Sequence, residues 1–270
     1  MSSLPFQDRI SVVTGAAAGI GFAVAQRFAE EGATVALLDQ NEKQGRAALA
    51  KISAISGDSE FYPVDVGVET GMRETMAKIT DRFRKVDHLV NNAGIVMVKT
   101  IEESTAEDWD HVMGVNVKSM FLAVKYLLPA LRLSAQPTII NMGSVSGLVA
   151  QRGTPAYVAA KGAVVMLSKA LALDLAEDGI RVNCVCPGIT DTPMLRLHAS
   201  ASPDPERTLK ERCERVPLTR MLSPREIADA VLYLSGDTSS GITGTALVVD
   251  GGYTAAAEWS RASEKAPKIK

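Results

Sequence analysis

The chain has 270 residues, 46% of them hydrophobic and 22% charged, with a formal net charge of -2. That balance suits one compact domain with a large core and gives no electrostatic reason to expect nucleic acid or an anionic membrane as partner. No unbroken apolar run reaches the roughly 18 residues that mark a membrane span, and the first residues lack the basic-then-apolar order of a secretion signal.

The first β-branched run covers 10–13 and leads into Thr14-Gly15-Ala16-Ala17-Ala18-Gly19-Ile20-Gly21, where a helical stretch opens over 20–31. Glycines let a backbone turn sharply and approach a pyrophosphate, and a helix N-terminus offers free N–H groups with partial positive charge. The spacing is GxxxGxG, not the commoner GxGxxG, and a turn that merely packs strand on helix is the competing reading. The second run, 34–38, closes on Asp39, a carboxylate placed to accept from adenosine ribose hydroxyls or simply a solvated strand end. A helix over 43–52 follows. The third run, 60–64, closes on Asp65-Val66, and a helix over 69–83 leads to the fourth run, 88–90, which closes on Asn91-Asn92-Ala93-Gly94. Small and amide residues there let a flat base or ribose lie against the sheet end, though they also favour turns.

A long helix is expected over 106–131, with Asn116 as an amide among apolar neighbours, either a satisfied core hydrogen bond or a functional group. The fifth run, 138–142, is followed by Ser144, whose hydroxyl can donate to a substrate oxygen. No histidine or acid motif accompanies it, which argues against a serine nucleophile. A helix over 156–177 carries Tyr157 and Lys161, four apart and therefore on one face. A free phenol ionises near pH ~10. A neighbouring ammonium lowers that value and makes the tyrosine a usable acid or base at neutral pH. By itself YxxxK is a common accident.

The sixth run covers 181–185. Beyond it, a polar stretch at about 190–216 reads as a mobile substrate lid, a helix covers 224–234, and a seventh run covers 246–249. Leu148 and Val149 suit an apolar pocket, whereas Gln151 and Arg152 suit a polar or acidic group. Cys184, Cys186 and Cys213 form an odd, sparse set without CxxC, as expected of reduced cytoplasmic thiols. His88, His111 and His198 show no metal-ligand spacing, so no metal is expected. The alternation of short apolar runs with helices predicts an α/β fold, a single doubly wound parallel sheet with helices on both faces and its ligand beyond the carboxyl ends of the strands.

In their order these segments resemble the short-chain dehydrogenase/reductase family of NAD(P)-binding Rossmann type. Thr14 to Gly21 resembles its TGxxxGxG and Asn91 to Gly94 its NNAG. Asn116, Ser144, Tyr157 and Lys161 fall in the order of its catalytic tetrad, and Pro187-Gly188 with Thr192 resembles its PGxxxT. The resemblance spans about 8–253; the stretch 195–216 and the tail from about 254 to 270 match no motif.

It implies that Tyr157 is the general acid/base, that Lys161 lowers its pKa and binds the nicotinamide ribose, that Ser144 holds the substrate oxygen, and that Asn116 positions a water linking Lys161 to solvent. Cofactor contacts are implied for Thr14, Gly15, Gly19, Ile20, Gly21, Asp39, Asp65, Val66, Asn92, Ala93, Gly94, Tyr157, Lys161, Pro187, Gly188, Ile189 and Thr192. A cytoplasmic homotetramer acting on a small-molecule alcohol or carbonyl is expected, with NAD preferred over NADP because of Asp39. The leading function is an alcohol, polyol or sugar dehydrogenase. A 3-oxoacyl-carrier-protein reductase is the alternative, and a dinucleotide-sensing protein without turnover is disfavoured by the intact tetrad.

Overall fold

The computed structural model describes residues 4–200 and 202–255. Seven parallel strands form one sheet in the order β3-β2-β1-β4-β5-β6-β7. They are β1 (Ile10–Thr14), β2 (Thr34–Asp39), β3 (Glu60–Pro63), β4 (His88–Asn91), β5 (Thr138–Met142), β6 (Arg181–Pro187) and β7 (Ala246–Val249). The order reverses between β1 and β4, the place where such sheets open a crevice at their carboxyl ends.

Successive strand residues feed opposite faces, which is why the runs are apolar throughout. Val13, Leu37, Val90 and Ile140 pack under α1 (Gly19–Glu30), α2 (Glu42–Ser53) and α9 (Pro224–Ser235). Their neighbours Val12, Leu38, Leu89 and Ile139 pack under α3 (Glu69–Phe83) and α5 (Ser119–Leu131). α6 (Pro155–Asp174) lies on that second face, with Val164 and Val165 against Cys184 and Cys186 of β6.

Three segments add to the sequence reading, and the first corrects it. The stretch 106–131 is not one α-helix: α4 (Ala106–Met113) and α5 are joined by a π-helical turn, Gly114–Lys118, with Asn116 inside it. Such turns insert one residue per turn and re-aim the helix beyond them. The polar stretch 190–216, expected as a lid, holds two helices, α7 (Pro193–Ser200) and α8 (Pro205–Glu214), packed on each other. α8 forms because Asp204 accepts from the Arg207 N–H, Pro205 takes the first helical position, and Arg207 pairs with Glu211 one turn on. Finally, α6 is long and apolar enough by composition to cross a membrane, although no unbroken apolar run reaches that length. Its buried face, including Lys161, is held against the sheet. The tail expected from about 254 lies almost wholly outside the described residues.

Candidate active site

A cleft of about 790 Å³ opens over the carboxyl ends of the strands. Gly15, Ala18, Gly19 and Ile20 line it from the glycine loop, Asp39 and Gln40 from the end of β2, Asp65 and Val66 from β3, and Asn92, Ala93 and Gly94 from β4. Gly143 and Ser144 enter from β5, Tyr157 and Lys161 from α6, and Pro187, Gly188, Ile189 and Thr192 from β6.

The glycine loop is held by its neighbours. The Ala17 N–H donates to Asp39 Oδ2 at 3.1 Å, and Asp39 Oδ1 accepts from the Asn41 N–H at 2.9 Å. α1 is preceded by Ala18, which makes no side-chain cap, and no acid stands in its first turn, so its leading N–H groups face the cleft without a side-chain acceptor. That is the arrangement an anionic diphosphate fits. Thr14 and Gly21 do not reach the cleft. Thr14 Oγ1 accepts from the N–H groups of Asn92 and Ala93, both at 3.0 Å, which ties β1 to the turn after β4. Any side chain at Gly21 would put its first carbon 2.1 Å from the Gly15 carbonyl, so that glycine permits the loop to close on its own helix.

Asn116 is likewise behind the wall, fully buried in its π turn. Its Oδ1 accepts from the Ile95 N–H and its Nδ2 donates to the Ile95 carbonyl, each at 2.8 Å. Both ends of the amide therefore hold the segment that leaves Gly94. At Gly94 a first side-chain carbon would come within 2.9 Å of Asn116 Oδ1 and 3.6 Å of Lys161 Nζ.

Ser144 caps the short 3-10 turn Val145–Gly147, its Oγ accepting from the Ser146 N–H at 3.0 Å. Tyr157 is half-buried in the first turn of α6. Lys161 is almost wholly buried; its ammonium donates to the Met142 carbonyl at 2.8 Å and lies 5.7 Å from the centre of the Tyr157 ring. Burial pushes the Tyr157 phenol above its ordinary value, and hydrogen bonding with Ser144 opposes the rise. Burial also pulls Lys161 down, to about 8. Removing water penalises both phenolate and ammonium, so any lowering of the phenol by Lys161 works against a burial cost at both groups.

Sequence reasoning missed Gln40, Val96, Ser146 and Tyr253, and took Thr190, His198, Thr208, Arg212 and Arg215 only collectively as part of the lid; all line the cleft. Gln40 and Thr190 were signalled by their places next to identified strand-end residues. The others carry no motif: Val96 follows β4, Ser146 sits in the 3-10 turn after β5, and the rest arrive through α7, α8 and the chain end. Among the described residues no group of three or more His, Cys, Asp or Glu side chains is placed to hold a metal.

A family model described as enoyl-(acyl carrier protein) reductase matches residues 15–254. The chain belongs to the short-chain dehydrogenase/reductase family. As a member it is similar to a cyclopentanol dehydrogenase of Comamonas sp., 41% identical over 92% of this chain and 98% of the relative. It is also similar to a D-beta-hydroxybutyrate dehydrogenase of Rhizobium meliloti, 35% identical over 92% and 99%. Among solved structures, ligand-free aldohexose dehydrogenase of Thermoplasma acidophilum superposes with a TM-score of 0.87 at 33% identity, covering 96% of this chain and 99% of that one. This short-chain dehydrogenase/reductase is therefore an oxidoreductase acting on CH–OH groups with a nicotinamide dinucleotide.

Proposed function

We propose that the chain is an NAD-linked dehydrogenase of a secondary alcohol, polyol or sugar, working as one catalytic domain whose reacting end is covered by α7 and α8. The observation that carries this reading is the meeting of Ser144, Tyr157 and Lys161 at one end of a cleft whose other end holds Asp39. When bound, the nicotinamide exchanges a hydride with the substrate carbon. Ser144 donates its hydroxyl to the substrate oxygen. Tyr157 takes the hydroxyl proton in oxidation and returns it in reduction. Lys161 stabilises the phenolate as the proton leaves, drawing on the carbonyl of Met142 for its own orientation, and reaches the cofactor ribose. Asn116 acts on this chain of groups by holding Ile95 and Gly94 in place. Because Ile95 engages both ends of its amide, the relay water would be held by its main chain.

Three features support the preference for NAD. Asp39 is fixed by two backbone N–H groups at the adenosine end. The cationic side chains lining the cleft, Arg152, Lys161, Arg212 and Arg215, belong to elements at the other end. Lys43, the nearest cation in sequence, is exposed as the second residue of α2 and does not line the cleft. A homotetramer is supported by exposed apolar side chains on α5 and α6, Phe121, Met166 and Leu173, and by Val248 on edge strand β7. A cytoplasmic location is supported by the unpaired cysteine set.

The test is a panel of alcohols, polyols, sugars and hydroxy acids with NAD, followed at the absorbance of the reduced cofactor. Turnover of acetoacetyl thioester with NADPH but of no alcohol with NAD would instead establish a 3-oxoacyl-carrier-protein reductase. Light scattering that gives a monomer at micromolar concentration would overturn the tetramer.

A further inference from the structure

The two ends of the cleft carry opposite charge. Asp39 and Asp65 line the end nearest β2 and β3, whereas Arg152, Arg212 and Arg215 line the end covered by α7 and α8. The cations of this region divide sharply. Arg196 is paired with Asp191 at 2.7 Å and Arg207 with Glu211 at 2.8 Å. Arg152, Arg212 and Arg215 have no acidic partner within 4 Å among the described residues. The acid that α8 sends into the cleft, Glu211, is the one already held by Arg207.

Arg152 and Arg215 are exposed and Arg212 is half-buried, so the fold lines this end of the cleft with positive charge that none of its own acids neutralises. A neutral alcohol would gain nothing from that charge. An oxyanion on the substrate would, because a guanidinium grips a carboxylate or sulfonate through two parallel hydrogen bonds.

Position ties the cluster to the reacting groups. Arg152 lies in the segment between Ser144 and Tyr157, beside Gln151, whose Oε1 accepts from the Ser146 hydroxyl at 3.1 Å. Arg212 is close enough to His198 to act on its charge, and His198 in turn meets the backbone of Val96, two residues beyond Gly94. We infer that the substrate is a hydroxy acid: a secondary alcohol whose carboxylate or sulfonate is clamped by Arg212, Arg215 and Arg152 while its hydroxyl meets Ser144 and Tyr157. The inference rests on the dehydrogenase reading of the same cleft and narrows its substrate class.

The experiment separates the two. Protein saturated with NADH is titrated with 4-oxopentanoate, with its methyl ester and with 2-oxopropanesulfonate, and binding is followed by NADH fluorescence. In parallel, kcat/KM with NAD is measured for 4-hydroxypentanoate, 3-hydroxybutanoate and their methyl esters. The acids are expected to bind and turn over about tenfold or more better than the esters, the size of one charge-assisted clamp. Salt should erode that ratio. In Arg212→Ala/Arg215→Ala the acid-to-ester ratio should collapse towards one. In Arg212→Glu/Arg215→Glu, whose exposed or half-buried sites at the end of α8 tolerate the change, it should invert.

Equal binding of acid and ester by the native protein would overturn the clamp, whatever turns over. A rise in the KM for NAD with the acid-to-ester ratio intact would also overturn it, by assigning the arginines to the cofactor. If no alcohol in the panel is oxidised while NADH still binds, the dehydrogenase reading fails, and the fluorescence titration still decides the clamp by itself. A preference for the sulfonate over the carboxylate supports the clamp and identifies the oxyanion.

Discussion

Replacing Asp39 by alanine should shrink a preference for NAD over NADP, and the size of the effect can be worked from the geometry. The carboxylate is partly exposed and held between the Ala17 and Asn41 N–H groups. A 2′-phosphate would stand near it. Unit charges about 4 Å apart repel by about 4 kcal/mol at an effective dielectric of 20 and about 1 kcal/mol in water. For a half-exposed group a value of about 2 kcal/mol is reasonable, equal to a preference of about thirtyfold.

The assay is kcat/KM for both cofactors with one good substrate. Asp39→Ala should lose NAD through missing ribose hydrogen bonds and gain NADP through relieved repulsion. It also removes an acceptor from two backbone N–H groups, so its melting temperature must be checked. Adding Gln40→Arg places a guanidinium on an exposed residue that lines the cleft and should carry the double variant to NADP. Equal native values for the two cofactors, or a ratio unmoved by Asp39→Ala, would refute the role given to this carboxylate.

Tyr157→Phe should cost about 10²–10⁴ in turnover and leave NADH binding, read by fluorescence, close to native; retention of a tenth of the activity would contradict it. Alcohol oxidation should rise with pH from neutral into the alkaline range, because the phenol must ionise and burial holds it above its ordinary value; a flat profile of kcat/KM would count against Tyr157 as the base. Lys161→Met should abolish turnover yet raise the melting temperature at neutral pH. Lys161 falls from 10.5 unfolded to about 8 folded, so the cost of holding its ammonium is fully present below about 8 and relieved as pH climbs towards 10.5. The native protein should therefore gain on the variant across that window, and a constant difference in melting temperature would refute the sign. Asn116→Leu strips both partners from the Ile95 backbone and should destabilise by about 2–4 kcal/mol; an unchanged melting temperature would show that the pair of hydrogen bonds contributes nothing.

The sheet was legible because its strands are buried on both faces, and a run such as Val35, Ala36, Leu37 and Leu38 leaves no other reading. The residues that end each strand were legible for the same reason: once the strands are placed, Asp39, Asn92, Ser144 and Gly188 must meet at the carboxyl edge. The π turn was not, because Gly114 to Lys118 keeps the apolar pattern of a helix and differs only in a backbone registry the side chains do not encode. Of the arginine cluster, Arg152 was already marked for a polar or acidic group, but the part near α8 was illegible for a different reason. α8 is a polar helix with no buried residue, so nothing in its pattern says which face turns to the cleft. Asn116 and Tyr157 show the limit of motif reading: the positions were found, but the hydrogen bonds to Ile95 and the upward shift of the phenol depend on packing.

The end of the cleft is finished late in the chain. The Gly188 N–H donates to the Val249 carbonyl at 2.9 Å, a side-chain carbon at Gly188 would collide with Asp250, and Tyr253 is part of the lining. A chain that lacks β7 and the turn after it would therefore lack one wall of its reaction chamber even with the glycine loop, Ser144 and the Tyr157 helix in place. The return of turnover after dilution from denaturant accordingly requires the last strand to be docked and not only the core to be collapsed. Carboxy-terminal truncations should divide sharply near β7.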